Sequence, residues 1–561
     1  MKDELKKIIK EALLKIEYEL DEVHISKSNI YDYQCNDLFK IASTYHKNPM
    51  EIGSELVNII NELPNFDDYF KEVSFTKPGF FNMMISDKFM NKYIKILYQD
   101  EHKLLHNKKK EVYVLDYGGA NVAKPLHVGH MRTAIVGESI KRIINYMGNT
   151  TIGDVHLGDF GLQIGEVIYG VLRDKLDIND IDIKYLDKIY PEMSTLVKEN
   201  EEIKNECAMI TKELQDGNQD YIKIWKKILE VSKQDIKKNY DYLNVSFDYW
   251  YGESDSYQYL DETEKTLNDK NLLHYSENAY VVDVKNNDDK KEIPPLLFKK
   301  SNGAYLYAST DLATILQRKL DFHPDHILYI VDNRQSLHFE QVFRTSDKAG
   351  IISKDKLEFL GYGTVNGSDG KPYKTRSGNT PKLENLFNDA KNIFISKKEN
   401  NKNMNNEDID KIVNAILKFA DLSNSRLKDY IFDLNKFSDV TGKTGPYILY
   451  TYLRINKILN NNHGDLELDN TIYNEYDRNL RLKLLESIES IELAFTERMP
   501  HYIADYVYEL CVYANIFYQN NYVLKETDSL KKNNWLYILT VTNKVIKLML
   551  DLLGIEIPSE M

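Results

Sequence analysis

The pattern of apolar and polar positions divides the chain into three regions. Near the start, Leu5, Ile8, Ile9, Ala12 and Leu13 recur at helical spacing. The run Val73-Ser-Phe-Thr-Lys-Pro-Gly-Phe-Phe-Asn-Met-Met-Ile85 reads as two strands broken at Pro78-Gly79. Residues 1–105 are therefore expected to form an α/β domain, followed by a polar linker over 102–110. From 111 to 390 apolar strands alternate with helical stretches, which favours a Rossmann-like, doubly wound parallel sheet. Its candidate strands are Val112-Tyr-Val-Leu115, Ile327-Leu-Tyr-Ile-Val331 and the segment 359–365. Charged helical sequence over about 170–290 interrupts it as an insertion. After the polar, low-complexity run 397–408 the chain reads as helices, giving an all-α domain over 409–561. One helical stripe there is Ile412, Ala415, Ile416 and Phe419; another is Ile503, Val507, Leu510 and Ala514; a last helix covers 537–553.

One segment carries chemistry. The buried strand Val112-Tyr-Val-Leu115 precedes Ala120-Asn-Val-Ala-Lys-Pro-Leu-His-Val-Gly-His130. An amphipathic stretch follows, with Val136, Ile140, Ile143, Ile144 and Met147 at helical spacing and Gly148-Asn149 as its stop. His127 and His130 thus fall in a strand-to-helix turn, where free backbone N–H groups and the helix dipole favour an anion. Gly129 between them leaves room for a flat base. His-x-Gly-His arises by chance in roughly one chain in a hundred of this length, and two such histidines also suit a metal pair or simple caps. Its position between strand and helix points to a nucleotide site and to attack on an ATP phosphate.

Composition narrows the setting. No run of about 18 apolar residues is present, so no membrane span is expected, and the charged start lacks a signal-peptide pattern. Cys35, Cys207 and Cys511 have no metal spacing and suit the reducing cytoplasm; no protein-bound metal is expected. The net charge of −14 argues against indiscriminate coating of nucleic acid while allowing local basic surfaces. No dimerisation heptad appears, so a monomer is expected.

Several longer strings then point one way. Asn121-Val-Ala-Lys-Pro-Leu-His-Val-Gly-His-Met-Arg132, Gly158-Asp-Phe-Gly-Leu-Gln163, Gly303-Ala-Tyr-Leu-Tyr-Ala-Ser-Thr-Asp-Leu312, Gln335-Ser-Leu-His-Phe-Glu-Gln341, Thr444-Gly-Pro-Tyr-Ile-Leu-Tyr450 and the ending Leu553-Gly-Ile-Glu-Ile-Pro-Ser-Glu-Met561 resemble the arginyl-tRNA synthetases, members of the class I aminoacyl-tRNA synthetases. The resemblance covers almost the whole chain. Two departures stand out: Ala120 replaces a frequent Pro, and the second class I signature, Lys-Met-Ser-Lys-Ser, is absent. Its place holds Asp369-Gly-Lys-Pro-Tyr-Lys-Thr-Arg-Ser-Gly-Asn379, an alteration many arginyl enzymes share; by itself Ser-Asp-Gly-Lys also reads as a solvated turn.

The resemblance implies an arginine–tRNA ligase that takes L-arginine, ATP with Mg²⁺, and the cognate tRNA. The arginine carboxylate attacks the ATP α-phosphate, and the terminal ribose of tRNA then takes the activated acyl group. His127, Gly129, His130, Lys371 and Lys374 would hold ATP, with Lys124, Lys374 and Arg376 as catalytic cations beside the two histidines. Asp116, Tyr307 and Asp311 would read the guanidinium, whose planar fork of donors calls for carboxylates. Gly119, Asn121, His130 and Gln335 would hold the amino-acid end. Asp311 also fits a helix N-cap, since Ser309-Thr-Asp precedes an apolar helical run.

Tyr447, Tyr450 and Met561 would meet the anticodon loop, and Phe80 and Asn82 the tRNA elbow. The tyrosines also suit a core stripe in a chain with 40 Tyr. The family further implies that adenylation needs tRNA. Three other readings fit the residues less well. A smaller nucleotidyltransferase lacks a helical half such as 409–561. Other class I synthetases differ around the histidines. A non-charging RNA-binding paralogue would have lost one of His127, His130, Asp311 or Gln335.

Overall fold

Four parallel strands organise the larger of two packed units: β1 (Val112–Asp116), β2 (Thr150–Asp154), β3 (His326–Tyr329) and β4 (Leu357–Phe359), in the spatial order β4-β3-β1-β2. This computed structural model describes residues 1–28, 30–105, 110–367, 369–371, 382–397, 404–462 and 466–561. The larger unit comprises Asn107–Leu449, Leu493–Asp505 and Leu550–Met561. Val114 and Leu115 of the central β1 are fully buried, which is why their sequence is continuously apolar. Two helices pack on this strand, α1 (Val128–Tyr146) and α2 (Tyr307–Phe322).

Two strands differ from the sequence expectation. The segment 359–365 is not one strand: β4 ends at Phe359, and Val365–Asn366 instead pairs in parallel with Tyr430–Ile431. Between them the carbonyls of Gly361 and Gly363 accept from Arg426 Nη1 (2.7 Å) and Arg132 Nη1 (2.6 Å) rather than from a ladder. A Cβ on Gly363 would lie 2.5 Å from Asp429 Oδ1, so only glycine lets this crossing pass. Strand β2 was not expected. Its sequence Thr150-Thr-Ile-Gly-Asp has one large apolar residue, and its glycine lets the Tyr117 hydroxyl approach to 3.0 Å of where a Cβ would stand.

The region after β2 holds the helices Leu162–Arg173, Ile183–Glu199, Glu201–Gln215 and Gln219–Tyr242, then an antiparallel sheet of Leu273–Ser276, Ala279–Val282 and Leu296–Lys300. A further helix, α3 (Ser336–Ala349), follows β3. Helix α4 (Asn406–Leu422), grouped by its pattern with the C-terminal helices, packs in this sheet-based unit.

Helix α1 is buried on nearly every side, so its charges need internal partners. Glu138 accepts from Lys141 (2.9 Å) and Arg142 (2.8 Å). Arg132, 1 % exposed, donates to the Gly363 and Lys428 carbonyls and lies 3.4 Å from Asp421 of α4, itself 1 % exposed. The last residues close the same core. Ser139 Oγ donates to Leu552 O (2.9 Å), and buried Lys418 donates to Gly554 O (2.7 Å). Burial pushes the Lys418 ammonium down to about 7. Asp408 of α4 accepts from Ser559 N (2.6 Å) and Oγ (2.5 Å).

The other unit comprises Met1–His106, Tyr450–Glu492 and Tyr506–Met549. Its N-terminal helix, Lys2–Lys15, buries the expected Leu5, Ile9, Ala12 and Leu13. The expected hairpin forms from Phe70–Thr76 and Phe80–Ile85 within an antiparallel sheet that adds Ile25–Lys27 and Tyr33–Cys35. Helix Glu475–Leu485 locks onto it: Arg478 pairs with Asp32 (2.5 Å) and Asp87 (2.9 Å), and buried Arg481 bonds Asp477, Asn91 and Asn534. Among the described residues no helix is long and apolar enough to cross a membrane.

Arg132 gives a direct test of the α1–α4 contact. Arg132→Met leaves Asp421 as a buried, uncompensated carboxylate, and urea denaturation should show a loss of about 3–5 kcal/mol. Adding Asp421→Asn should recover part of it. Equal stability of Arg132→Met and the wild type would show that this pair does not hold the helices together.

Candidate active site

After β1 the chain turns outward through Gly118 (φ +95°) and Gly119 (φ +38°), both in the left-handed region where glycine is favoured. The Tyr240 hydroxyl donates to Gly118 O (2.7 Å), fixing the turn. Asn121 then pairs with Gly158: Val122 N donates to Gly158 O, and Gly158 N to Ala120 O, each at 3.0 Å. A Cβ on Gly158 would lie 2.2 Å from Asn121 Oδ1. The two motifs, far apart in sequence, are thus one zipped structure in which glycine makes room for the Asn121 side chain.

The two histidines are caps. His127 is the N-cap of α1, and its Nδ1 accepts from Gly129 N (3.1 Å); His130 Nδ1 accepts from His127 N (3.1 Å). This reciprocal arrangement satisfies two of the free N–H groups at the helix start. A Cβ on Gly129 would stand 2.9 Å from His127 Cε1, so the capping ring itself requires glycine there. Because both Nδ1 atoms accept, both rings carry their hydrogen on Nε2. The rings lie 3.9 Å apart between centroids. Burial, helped by the neighbouring Lys124 charge, pushes both imidazoles below the usual histidine range, His130 furthest. They are neutral Nε2–H donors beside a helix N-terminus. Lys124 Nζ lies 6.0 Å from the Tyr190 ring, and among the described residues it has no carboxylate within ion-pair distance.

Carboxylates gather at the C-terminal edge of the sheet. Asp116 ends β1 and Asp154 ends β2, directly opposite in the parallel register. Arg318 of α2, fully buried, places one Nη2 2.8 Å from Asp116 and 2.7 Å from Asp154. Burial pushes the Asp116 carboxyl up and the Arg318 charge draws it back. Asp311 is not a cap: α2 starts at Tyr307, where Ser309 Oγ accepts from Leu306 N. It lies one turn beyond the 70 % exposed Tyr307 and pairs with His338 Nε2 of α3 at 2.5 Å.

Several residues at this edge were not foreseen. Glu253 begins the short helix Glu253–Ser256, which is held to the Gly158 motif by the Leu157–Gly252 bridge. Burial, with Asp311 and Asp159 nearby, pushes its carboxyl up to about 7 against the pull of His156. His156 Nδ1 stands 3.9 Å from Asp154. Glu253, His156, Asp154 and Arg318 lie outside the quoted strings, and His338 lies within Gln335–Gln341 without having been singled out. Only the chain path brings them together.

The remaining expected residues are placed as follows. Gln335 is exposed where α3 begins. Lys371 is exposed, its N–H bound to Asp369 Oδ1 (3.1 Å) and its carbonyl to Gly367 N (2.8 Å), the turn chemistry that Ser-Asp-Gly-Lys implies. Lys374 and Arg376 lie outside the described residues. Where the chain is described again, Lys382 bridges His127, and Leu383 N donates to Leu126 O (2.8 Å), so the residues that follow the altered signature segment lie at the histidine turn. Among the described residues no group of three or more His, Cys, Asp or Glu side chains is placed to hold a metal ion.

Tyr447 and Tyr450 are three apart on helix Gly445–Asn460; Tyr447 is half-buried and Tyr450 is 44 % exposed. Thr444 Oγ1 caps this helix by accepting from Tyr447 N (3.3 Å), and a Cβ on Gly445 would strike Ala415 O at 2.3 Å, which explains Thr-Gly-Pro. Met561 is half-buried. Phe80 is half-buried against Phe39. Asn82 is only 3 % exposed, and its amide donates to Thr76 Oγ1 (3.0 Å) and Phe80 O (3.3 Å); it braces the hairpin rather than presenting its amide at the surface.

Comparison with known proteins gives a consistent result over the whole chain. Residues 93–434 match the model of the class I (R) tRNA synthetase catalytic domain, 448–561 the DALR anticodon-binding domain, and 3–85 the arginyl-tRNA synthetase N-terminal domain. Relatives described as arginine–tRNA ligases include those of Alkaliphilus oremlandii (40 % identical, covering 95 % of this chain and 94 % of the relative) and Francisella tularensis (36 %, covering 96 % and 95 %). Among solved structures, the arginyl-tRNA synthetase of Plasmodium falciparum superposes with a TM-score of 0.82 at 25 % identity over 100 % of this chain and 99 % of that one. The Thermus thermophilus enzyme shares the fold, with a TM-score of 0.83 at 21 % identity over the full length of both.

The capping geometry makes a spectroscopic prediction. Nitrogen-15 NMR of labelled histidine should show His127 and His130 as Nε2–H tautomers that stay neutral at pH 7 and protonate only below 6.5. An Nδ1–H form of either ring would mean that the caps do not set the tautomer.

Proposed function

The chain belongs to the arginyl-tRNA synthetases, and from that premise we propose how its residues share the work of joining arginine to tRNA. The protein is an arginine–tRNA ligase that uses ATP. The observation that carries the residue assignment is the meeting of a carboxylate cluster with a helix N-terminus capped by two imidazole donors.

In the first step an arginine carboxylate oxygen attacks the α-phosphorus of ATP, and pyrophosphate leaves. In the second, a ribose hydroxyl at the tRNA 3′ end attacks the activated carbonyl, losing its proton as AMP leaves. Both steps depend on alignment and charge neutralisation. His127 and His130 donate Nε2–H to phosphate and ribose oxygens. The N–H groups of α1 and the Lys124 ammonium add positive potential beside them. Gly129 takes part in the ATP site by leaving room for the His127 ring, which its N–H holds in place. Lys371, with Lys374 and Arg376, supplies further cations from the altered signature segment, and Mg²⁺ accompanies the ATP phosphates.

The guanidinium is read by Asp311, Tyr307 and Asp116, with Glu253 added from the structure. Glu253 has a carboxyl near neutrality that a cation would ionise. Charge-assisted bonds of this kind contribute about 1.5–3 kcal/mol each. Asn121, seated on Gly158, together with Gln335, His130 and the Gly119 backbone, holds the amino and carboxylate groups. Tyr450, with Tyr447 and Met561, meets the anticodon loop by stacking, and Phe80 the tRNA elbow; Asn82 supports Phe80 from within the hairpin. Adenylation awaits tRNA, and the protein works as a cytoplasmic monomer, in keeping with three buried free thiols.

Purified protein with matched tRNA, ATP and Mg²⁺ should charge arginine and none of the other amino acids. Charging of a different amino acid instead would refute the reading. Lys124→Ala should lower turnover at least about tenfold, or roughly 1.4 kcal/mol in barrier. Its effect on ATP affinity should be smaller, because this contact matures with charge in the transition state. Full turnover in Lys124→Ala would move the task to the signature segment alone.

A further inference from the structure

The guanidinium-reading carboxylates are already occupied by the protein's own cations. Arg318 sits on Asp116, and His338 sits on Asp311. His338 projects from the third position of α3 into a cavity of about 540 Å³ that Tyr307, Leu306 and Gln341 also line. Its ring is about one-third exposed and the Asp311 carboxylate about one-quarter, so neither partner of the pair is sealed from solvent. We propose that His338 is a resident competitor for the arginine side chain: arginine displaces it from Asp311, and the displaced imidazole gives up its proton to solvent. This inference rests on the assignment of Asp311 to the guanidinium.

In the structure Asp311 faces His338, and Asp116 with Asp154 faces Arg318. Of the other titratable groups at this edge, Tyr307 on α2 and Glu277 line the same cavity as His338, while Glu253 on its short helix and Tyr329 on β3 act on Asp311. On or beside its own helix, Glu340 is bound by Arg344 and Lys354 (2.6 Å each), and Arg334 by Asp332 (2.8 Å). Asp311 is the only carboxylate hydrogen-bonded to His338 among the described residues. That bond and charge raise the imidazole's proton affinity above the usual histidine value, against the effect of burial.

A guanidinium entering beside Asp311 would be the third cation at this edge. Neither it nor Arg318 can discharge near neutral pH, whereas an imidazolium can. Binding is therefore relieved of like-charge repulsion when His338 deprotonates and swings from Oδ2. The sign follows. Below the raised His338 pKa the proton stays on and arginine competes with a cation, so its KM rises as pH falls; above that pKa the dependence on His338 disappears. The filled site also selects. A neutral isostere such as citrulline brings no charge to expel the proton and must leave the ion pair in place.

The test uses the full-length protein labelled with carbon-13 at histidine Cε1, with His338 assigned as the resonance absent from His338→Gln. The expected result is a titration midpoint above 6.5 in the free protein that falls below 6.5 when arginine saturates the site, and does not move with citrulline. A midpoint unchanged or raised by saturating arginine would overturn the inference, since His338 then remains on Asp311 while the guanidinium takes the other oxygen. Calorimetry of arginine binding to Asp311→Asn separates the two levels. At least tenfold weaker binding there, with an unmoved midpoint in the wild type, removes only the competitor role. Unweakened binding removes the assignment of Asp311 itself.

Discussion

Two carboxylates stand side by side because the sheet is parallel. Asp116 and Asp154 end neighbouring strands in register, so their charges meet at the edge where an α/β sheet places its ligands. Left alone, the pair would repel in a dry environment and one of them would protonate. Arg318 resolves this from a third element, reaching both with a single nitrogen while its guanidinium carbon lies 5.5 Å from the centroid of the Tyr329 ring. The position of α2 is thereby tied to the edge. Tyr307 and Asp311 ride on the same helix. The carboxylate edge proposed to receive arginine is thus fixed by a guanidinium of the chain's own.

The histidine turn shows how a structural and a chemical role coincide. Caps and phosphate donors look like rival readings of His-x-Gly-His. Here the cap uses Nδ1 of each ring, which leaves Nε2–H as the only donor of each. A group that must donate to phosphate benefits from being neutral and from having its tautomer chosen in advance. Gly129 serves both ends, since the capping ring fills the space a side chain would need.

What the sequence showed and what it concealed follow from the range of the interactions. The histidine turn, helix α1, the hairpin broken at Pro78-Gly79 and the first helical stripe are set by neighbours a few residues apart, and all could be read directly. Strand β2 escaped because its partner β1 supplies most of the apolar surface that a strand normally advertises. The segment 359–365 looked like a strand because it is apolar, yet two arginines from distant elements take its carbonyls. Asp311 had the local marks of a cap, and only the observed start of α2 at Tyr307 moves it into the helix. Glu253 is an ordinary charge in a polar stretch, and His338 sits within the string Gln335–Gln341 with nothing to mark its partner; only the fold brings it to Asp311. Asn82 shows the converse, a family position whose amide is turned inward in this chain.

The clasp of the final residues on α1 has a consequence for how the protein comes into being. Ser139 waits for Leu552, 413 positions further along, and Lys418 for Gly554. A ribosome finishes β1, α1 and the entire sheet long before it delivers the segment that closes over them. During that interval the first-made helix has a gap in its covering and α4 holds a lysine with no carbonyl to meet. Domains usually fold as units in the order they emerge, but this one interleaves its earliest and latest sequence. The support of the histidine turn is therefore among the last features of the larger unit to become complete, and chains released early carry that turn on an unfinished foundation.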